Sequence, residues 1–342
     1  FALHARKAHT KGLQILQPLP ITKGIVSNSG DIIMAAMHPG PVAYFNGKFV
    51  PVEEAKISIM THAFNYGTGL FEGIRGYYNV EEDNILIFRL PEHVDRMMRN
   101  AKVLCMDIPE DGAAIEEICL ELVKKSGFKE GVYIRPIIYK SEQSLGPTVL
   151  GVASSLCCYI IKLGDYCDTE KGLDVAVSSW RRLSDNAIPT RLKSTGSYIN
   201  SSLSASEAKS AGFHEAIFLR EDGTVAEGSA MNLFMVHGGK LITPPVNADI
   251  LVGITRNTVI ELAREALGIE VVERPIARTE LYICDELFFC GTGAQVAPVR
   301  SVDRRLIGKG TTGVITKKLQ DLYFNVVQGK VPEYRKWCRE VY

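Results

Sequence analysis

The stretch PTRLKSTGSYIN, residues 189–200, decides how the rest of this 342-residue chain is interpreted. Its single lysine, Lys193, stands among small and hydroxylated residues, and the nearest acids along the chain are Asp185 and Glu207. Small neighbours leave room for a ligand, and a desolvated ammonium gives up its proton more readily than one in water. Such a lysine is suited to forming a Schiff base with a carbonyl compound. The same pattern also fits a solvated surface lysine, so other segments must decide.

Length and composition set broad limits on the protein. A chain of 342 residues exceeds the usual size of a single core, which predicts two domains. The hydrophobic content of 46% and charged content of 23% are typical of a globular protein. The formal net charge is zero, which gives no electrostatic reason to expect nucleic acid or an anionic membrane as a partner. No apolar run reaches the roughly 18 residues of a membrane span.

The eight cysteines show neither a CxxC pair nor the spacing of a metal site, so no metal is predicted. Most of them lie in apolar runs, as reduced core cysteines do. This usage favours a reducing compartment and hence a cytoplasmic location.

The pattern of elements predicts two domains, a linker and an extension. Residues 1–36 are basic and almost free of acids, which indicates a peripheral extension, either an organellar transit peptide or added upstream sequence. Residues 37–163 combine strands with two helices, as in a small α/β domain. The polar segment 164–172 is the predicted linker, and residues 173–342 form the larger, lysine-bearing domain. The predicted fold class is α+β.

Local signals place elements in the smaller domain. The Asn-Gly dipeptide at 46–47, between apolar residues, predicts a hairpin. The alternating run AKISIM, residues 55–60, predicts a strand. Apolar periodicity predicts helices over about 91–106 and 111–126.

Three charged residues stand where a charge is costly. Arg89 and Arg135 each interrupt an apolar strand, and a charge in such a run needs a partner. Glu227 lies between the small residues Ala226 and Gly228 and could be buried if it had a cationic partner. An exposed acid at a strand end fits the same local sequence equally well.

Two segments have the features of anion sites. Thr255 is predicted to cap a helix over 256–267, and free N–H groups at a helix start bind anions. The turn GTGA, residues 291–294, follows an apolar strand and can offer backbone donors. A third segment, 61–78, is rich in glycine and aromatic residues and is suited to forming a pocket wall, although a Gly-rich hairpin with core aromatics fits it as well.

Six segments in order resemble the class IV, or fold type IV, pyridoxal-phosphate aminotransferases, and most closely the branched-chain amino acid aminotransferases. These segments are YGTGLFEGIR, VYIRP, PTRLKSTGSY, AEGSAMNLF, VGITR and CGTGAQVAPVRSVD. The likeness covers roughly residues 42–330. It implies a small N-terminal α/β domain, a larger C-terminal domain with a pseudo-barrel of strands and helices, and pyridoxal phosphate as cofactor. It also implies a homodimer in which segment 61–78 lies near the partner's site.

The resemblance implies a role for each matching residue. Lys193 would carry the cofactor and move the substrate's α-proton, Glu227 would face the pyridine nitrogen, and Tyr198 would bond the phenolic oxygen. The residues that would hold the phosphate are Arg89, Ile254, Thr255 and Thr292. The residues that would line the substrate pocket are Tyr66, Phe71, Tyr133, Arg135, Tyr166, Gly293 and Ala294.

The implied reaction moves the amino group of leucine, isoleucine or valine to 2-oxoglutarate. Two relatives of the same fold remain alternatives: a D-amino acid or (R)-amine transaminase, and an aminodeoxychorismate-type lyase. The VYIRP motif favours the branched-chain group over both. A binding module that holds a phosphate ligand without catalysis is a further alternative, which the presence of both Lys193 and Glu227 disfavours.

Overall fold

Two β-sheets organise residues 38–164 and 169–342, the ranges that the computed structural model describes. The strands are β1 (Val42–Phe45), β2 (Lys48–Pro51), β3 (Gly69–Phe71), β4 (Ile74–Asn79), β5 (Asn84–Phe88), β6 (Val132–Lys140), β7 (Ser154–Lys162), β8 (Leu173–Arg181), β9 (Glu215–Leu219), β10 (Val225–Gly228), β11 (Asn232–His237), β12 (Lys240–Thr243), β13 (Val271–Glu273), β14 (Glu286–Gly291), β15 (Gln295–Val302), β16 (Arg305–Leu306) and β17 (Cys338–Glu340). The α-helices are α1 (His62–Tyr66), α2 (Leu90–Val103), α3 (Gly112–Ser126), α4 (Tyr198–Ser210), α5 (Ile254–Glu261) and α6 (Val314–Val327). Shorter helical turns are Val52–Glu54, Leu262–Ala266, Arg278–Tyr282 and Pro332–Trp337.

Both sheets are built mainly from antiparallel pairs. Within the described residues the first sheet has eight strands in the order β17-β5-β4-β6-β7-β1-β2, and β3 pairs with β6. The second has nine strands in the order β10-β9-β8-β15-β14-β11-β12-β13, and β16 pairs with β15. Strand β8 runs parallel to both of its neighbours, and β12 runs parallel to β13. The combination of segregated helices and mainly antiparallel sheets agrees with the predicted α+β class.

Helices α2 and α3 pack together and bury their apolar faces in the core of the first sheet. Helix α3 begins at a cap that the sequence provides, because the Asp111 carboxylate accepts a 2.8 Å hydrogen bond from the Ala114 amide. It ends at Gly127, whose φ of 64° is the left-handed conformation that glycine adopts without strain. These two helices confirm the predictions at 91–106 and 111–126, with slightly different bounds.

The segment that carries Lys193 connects the two sheets. On one side, the Phe71 amide in β3 donates to the Lys193 carbonyl at 2.9 Å, and the Thr195 amide donates to the Gly69 carbonyl at 2.8 Å. On the other side the chain continues into α4, which packs on β8 and β9 of the second sheet. The lysine backbone is therefore held where the two sheets approach each other.

The C-terminal segment makes a second connection. Helix α6 packs on β14 and β15, and the chain then returns to the first sheet as β17. Cys338 pairs with Phe88 of β5, and the Asn84 side chain donates to the Tyr342 carbonyl at 2.9 Å. The last strand of the chain thus completes an edge of the sheet that the first strands began.

Of three further predictions from the sequence, one is confirmed, one is wrong and one stays a prediction. The hairpin at 46–47 is confirmed, with Asn46 and Gly47 at φ 50° and 80°. The predicted strand at 55–60 is wrong, because the chain there is irregular and leaves Ile59 and Met60 exposed. The predicted boundary at 164–172 stays a prediction.

The seven cysteines in the described ranges are all free thiols. Among the described residues, no helix has both the length and the apolar character needed to cross a membrane. The predicted reducing compartment stays a prediction.

Candidate active site

A cavity of about 260 Å³ lies where the lysine segment meets both sheets. Most of the residues that the sequence singled out line it, although they come from distant parts of the chain. The predicted residues that line it are Phe71, Tyr133, Arg135, Lys193, Tyr198, Glu227, Ile254, Thr255, Thr292, Gly293 and Ala294. The structure therefore brings together the lysine, the buried acid and both candidate anion segments.

Lys193 presents its amine to aromatic rings rather than to an acid. Its Nζ donates a 2.8 Å hydrogen bond to Tyr198 Oη and lies 5.1 Å from the centroid of the Phe71 ring. No carboxylate of a described residue forms an ion pair with it. This environment leaves the amine available for reaction with a carbonyl group.

Glu227 is buried and has the cationic partner that its position requires. Arg182 Nη2 lies 2.9 Å from Oε1, Asn232 Nδ2 donates to Oε2 at 2.9 Å, and the Leu251 amide donates at 3.2 Å. Burial raises the pKa of Glu227, while the Arg182 charge and the Leu251 hydrogen bond oppose that rise. The alternative of an exposed strand-end acid is excluded.

The anion segments lie side by side in the cavity wall. Helix α5 begins at Ile254 and its N-cap is Gly253, which corrects the prediction that Thr255 is the cap. Thr255 lies instead in the first turn, where backbone N–H groups have no partner within the helix. A side chain at Gly253 would clash, because its Cβ would lie 2.0 Å from Asn232 Oδ1. Residues of the helix start and of the 291–294 turn both line the cavity, and a helix start is a site at which backbone N–H groups can bind an anion.

Arg89 does not reach the cavity, which corrects its predicted role as a phosphate ligand. Strand β5 ends just before it, and Arg89 adopts a left-handed conformation with φ 54°. Its guanidinium pairs with Glu92 at 2.7 Å and Glu261 at 2.8 Å, and it lies 3.6 Å from the centroid of the Trp337 ring. These partners compensate its charge and hold it toward the C-terminal segment.

Arg96 is the arginine that the sequence interpretation missed. It lines the cavity, and its Nη1 donates to the Val252 carbonyl at 3.0 Å, next to the start of α5. The signal was present in the helical periodicity, because Arg96 lies three residues after His93 and four before Asn100, which are both buried. A charged residue on the buried face of a helix needs a partner there.

That partner is Glu72. Arg96 donates to it from Nε and Nη2, both at 2.7 Å, and His93 Nδ1 lies 2.8 Å from Oε2. Burial alone would raise the pKa of Glu72, but the Arg96 charge and the His93 hydrogen bond hold it well below its usual range. Burial also lowers the pKa of His93, which favours its neutral form. The bidentate contact fixes the direction of the Arg96 guanidinium.

The predicted substrate wall is partly assembled. Arg135 Nη2 donates to Tyr133 Oη at 2.9 Å, and its guanidinium lies 4.5 Å from the centroid of the Phe71 ring. Tyr66 does not line this cavity, because α1 turns it outward, and its Oη accepts a 2.9 Å hydrogen bond from the Gly146 amide. Tyr166 lies outside the described residues.

The two sheets, the lysine at their junction and the paired buried acid can be compared with those of known protein families. A family profile described as "Amino-transferase class IV" matches residues 69–302, and the chain belongs to that family. This confirms the resemblance and the fold that it implied.

Three individual proteins show which members of the family this chain is similar to. A protein of Aquifex aeolicus named probable branched-chain-amino-acid aminotransferase is 50% identical over 300 residues, covering 88% of this chain and 96% of the relative. The crystal structure of the branched-chain aminotransferase from Thermoproteus uzoniensis with norvaline has a TM-score of 0.85 at 40% identity, covering 90% of this chain and 100% of that one. A T.th. branched-chain amino acid aminotransferase complexed with N-(5'-phosphopyridoxyl)-L-glutamate has a TM-score of 0.85 at 41% identity, covering 89% of this chain and 99% of that one.

Glu72→Gln tests the buried pair with Arg96. Because the pKa of Glu72 is lower in the folded than in the unfolded chain, its stabilisation is complete above the unfolded pKa, about 4.3, and is lost as pH falls below it. We expect the variant to be less stable at pH 7 by about 3 kcal/mol. Between about pH 5 and pH 3 it should lose less stability than the wild type. Urea unfolding at several pH values measures both effects.

Asp95→Asn is the matched control for this experiment. Asp95 lies on the same helix and pairs with Arg99 at 3.1 Å, but both side chains are exposed. Its pH profile should follow that of the wild type, because exposed pairs contribute little. Parallel profiles for Glu72→Gln and the wild type would contradict the assignment.

Proposed function

We propose that this class IV aminotransferase uses pyridoxal phosphate to transfer the amino group of leucine, isoleucine or valine to 2-oxoglutarate. The products are the branched-chain 2-oxo acids and L-glutamate. The observation that carries the proposal is that the Lys193 amine and the Glu227 carboxylate line one cavity together with the start of α5. A module that only bound a phosphate ligand would need the helix start alone.

The residues that line the cavity fit pyridoxal phosphate in charge and chemistry. Pyridoxal phosphate supplies an aldehyde for a lysine and a ring that withdraws electrons from the reacting carbon. Lys193 would hold it and then take and return the α-proton of the substrate. Glu227 would face the ring nitrogen, and Tyr198, which already accepts from Lys193 Nζ, would meet the phenolic oxygen.

The phosphate end is proposed to use Arg96 in place of Arg89. Arg96 would supply the cation, and the first turn of α5 with Ile254 and Thr255 would supply backbone and hydroxyl donors. Thr292 would add a hydroxyl from the neighbouring turn. Because Glu72 neutralises part of the Arg96 charge, the backbone donors would carry a large share of the binding.

The substrate end has to accept an aliphatic side chain and, in the second half-reaction, a carboxylate. Phe71 and Tyr133 would contact the aliphatic side chain. Arg135 Nε is buried and has no hydrogen-bond partner among the described residues, which suits it to a substrate carboxylate. The backbone at Gly293 and Ala294 would contribute further polar contacts.

The structurally similar proteins support this chemistry. The Thermoproteus uzoniensis enzyme was crystallised with norvaline, an unbranched aliphatic amino acid. The T.th. enzyme was crystallised with a phosphopyridoxyl adduct of L-glutamate, which combines the cofactor with the second amino acid. None of the relatives and solved structures named above is described as a D-amino acid transaminase, an (R)-amine transaminase or a lyase.

The identity of the amino donor is tested by following the visible absorption band of the bound cofactor. Protein loaded with pyridoxal phosphate should lose that band when L-leucine, L-isoleucine or L-valine is added, and 2-oxoglutarate should restore it. Lys193→Ala should lower turnover by at least about a thousandfold, because the general base is lost. Lys209→Ala, an exposed lysine on the following helix, should retain wild-type turnover.

Other outcomes of the same assay would overturn the proposal. A response to D-alanine or (R)-1-phenylethylamine without a response to L-leucine would favour the alternative transaminases. Pyruvate release from aminodeoxychorismate would favour the lyase. Cofactor binding without any half-reaction would favour the non-catalytic module.

We further propose that the enzyme is a homodimer. Segment 57–66 exposes Ile59, Met60 and Phe64, and the loop bonded to it through the Gly146 amide and Tyr66 Oη exposes Leu145. Exposed apolar side chains on segments that are bonded to each other favour an interface, and a second copy of this chain is the proposed partner. Such an interface would place Tyr66 at the boundary between two copies, in line with the role implied by the resemblance.

Ile59→Asp tests this surface. Ile59 is 79% exposed, so the substitution should leave the fold of one chain intact while placing a charge in the interface. Sedimentation velocity should show a dimer for the wild type and a larger monomer fraction for the variant. Val80→Asp is the control, because Val80 is 78% exposed in the turn between β4 and β5. A monomeric wild type, or equal dimer fractions in all three, would contradict the proposal.

A further inference from the structure

The ion pair between Arg182 and Glu227 has a consequence beyond the stability of the fold. We propose that Arg182 is a positioning residue that keeps Glu227 a carboxylate, so that the proton between this acid and the cofactor ring stays on the ring nitrogen. The inference rests on the proposed function. It concerns a residue that the cofactor roles described above leave unassigned.

The contacts of Arg182 hold its guanidinium in a fixed position beside Glu227, which is the first observation that supports the proposal. The side chains of Arg182 and Glu227 are 8% and 6% exposed, and Nη2 lies 2.9 Å from Oε1. Arg182 is also held by its own Nε, which donates to the Asp249 carbonyl at 3.3 Å, and its guanidinium lies 5.6 Å from the centroid of the Phe218 ring. Its charge is therefore fixed relative to the carboxylate.

The second support is the nature of the other donors. Asn232 Nδ2 and the Leu251 amide also contact Glu227, but both are neutral. Lys193 is a second positive charge that acts on Glu227, yet its amine would be bonded to the cofactor in the proposed function. Of the described residues that pair with Glu227, Arg182 is then the permanent cation.

The charge of Arg182 would decide whether one proton resides on Glu227 or on the ring nitrogen. Burial favours a neutral carboxylic acid, and an opposite charge within about 4–6 Å lowers the pKa of a carboxyl by about 1 to 3. Without Arg182, the proton would move from the ring nitrogen to Glu227, with no other reactant involved. A neutral ring withdraws electrons less well, so the substrate's α-proton would be removed more slowly.

The experiment reads the protonation of the ring directly. Pyridoxal phosphate labelled with ¹⁵N in the ring is bound to the wild type, and its nitrogen chemical shift is compared with that of Glu227→Gln, which lacks the acid. Arg182→Gln keeps a hydrogen-bond donor without the charge, and Arg182→Lys keeps the charge on a shorter side chain. Arg274→Gln is the matched control, because Arg274 forms a bidentate pair with Glu280 and does not line the cavity.

We expect the protonated-ring signal in the wild type and in Arg274→Gln. Arg182→Gln should move toward the Glu227→Gln signal, and Arg182→Lys should lie between the two. The kcat of Arg182→Gln should fall by at least about tenfold with little change in KM, since one pKa unit corresponds to a factor of about ten.

Two results would overturn the inference. One is a wild-type ring signal in Arg182→Gln, and the other is an equal displacement in Arg182→Lys and Arg182→Gln, which would assign the effect to shape rather than charge. If Arg182→Gln does not take up the cofactor, a signal in Arg182→Lys equal to that of Glu227→Gln decides against the inference, because the charge would then be present without its effect. A wild type that binds no pyridoxal phosphate would instead overturn the proposed function.

Discussion

The structure depends on the backbone pairing of the Lys193 segment with strand β3. Two short hydrogen bonds, from Phe71 to Lys193 and from Thr195 to Gly69, join a segment of the second half of the chain to the first sheet. They fix the lysine's main chain from one side, while α4 anchors it from the other. The amine therefore projects into a cavity whose walls come from both sheets. A flexible loop lysine would lack this control over direction.

Two buried ion pairs give the cavity its electrostatic character. Glu227 with Arg182, and Glu72 with Arg96, each place opposite charges where an unpaired charge would be unfavourable. Arg182, Glu227 and Arg96 line the cavity, and both pairs are held by further hydrogen bonds. Replacing a whole buried pair by apolar residues changes stability little, whereas removing one partner leaves a costly unpaired charge. The value of each pair therefore lies in the fixed direction of the groups that it holds. The fold thus supplies an acid and a cation whose positions are set before any ligand binds.

Much of this site could be predicted from the sequence, because several of its residues are unusual for their local sequence surroundings. Lys193 lacks a nearby acid, Glu227 lies between small residues, and the 291–294 turn follows an apolar strand. Arg89 and Arg96 show the limit of such reasoning, since both are charges in apolar surroundings and only the three-dimensional structure shows which one faces the cavity. The pairing of β3 with the lysine segment joins residues more than a hundred positions apart, which no local pattern encodes. The prediction of a strand at 55–60 is wrong because the apolar side chains of this run face outward rather than toward the chain's own core.

In the proposed function the cavity presents one particular amine, that of Lys193, to pyridoxal phosphate. Borohydride reduction of the loaded protein makes the lysine linkage permanent, and peptide mass spectrometry then locates it. We expect a pyridoxyl group on the peptide that contains Lys193 and on no other lysine at stoichiometric level. Stoichiometric labelling of a different lysine, or none at Lys193, would contradict it.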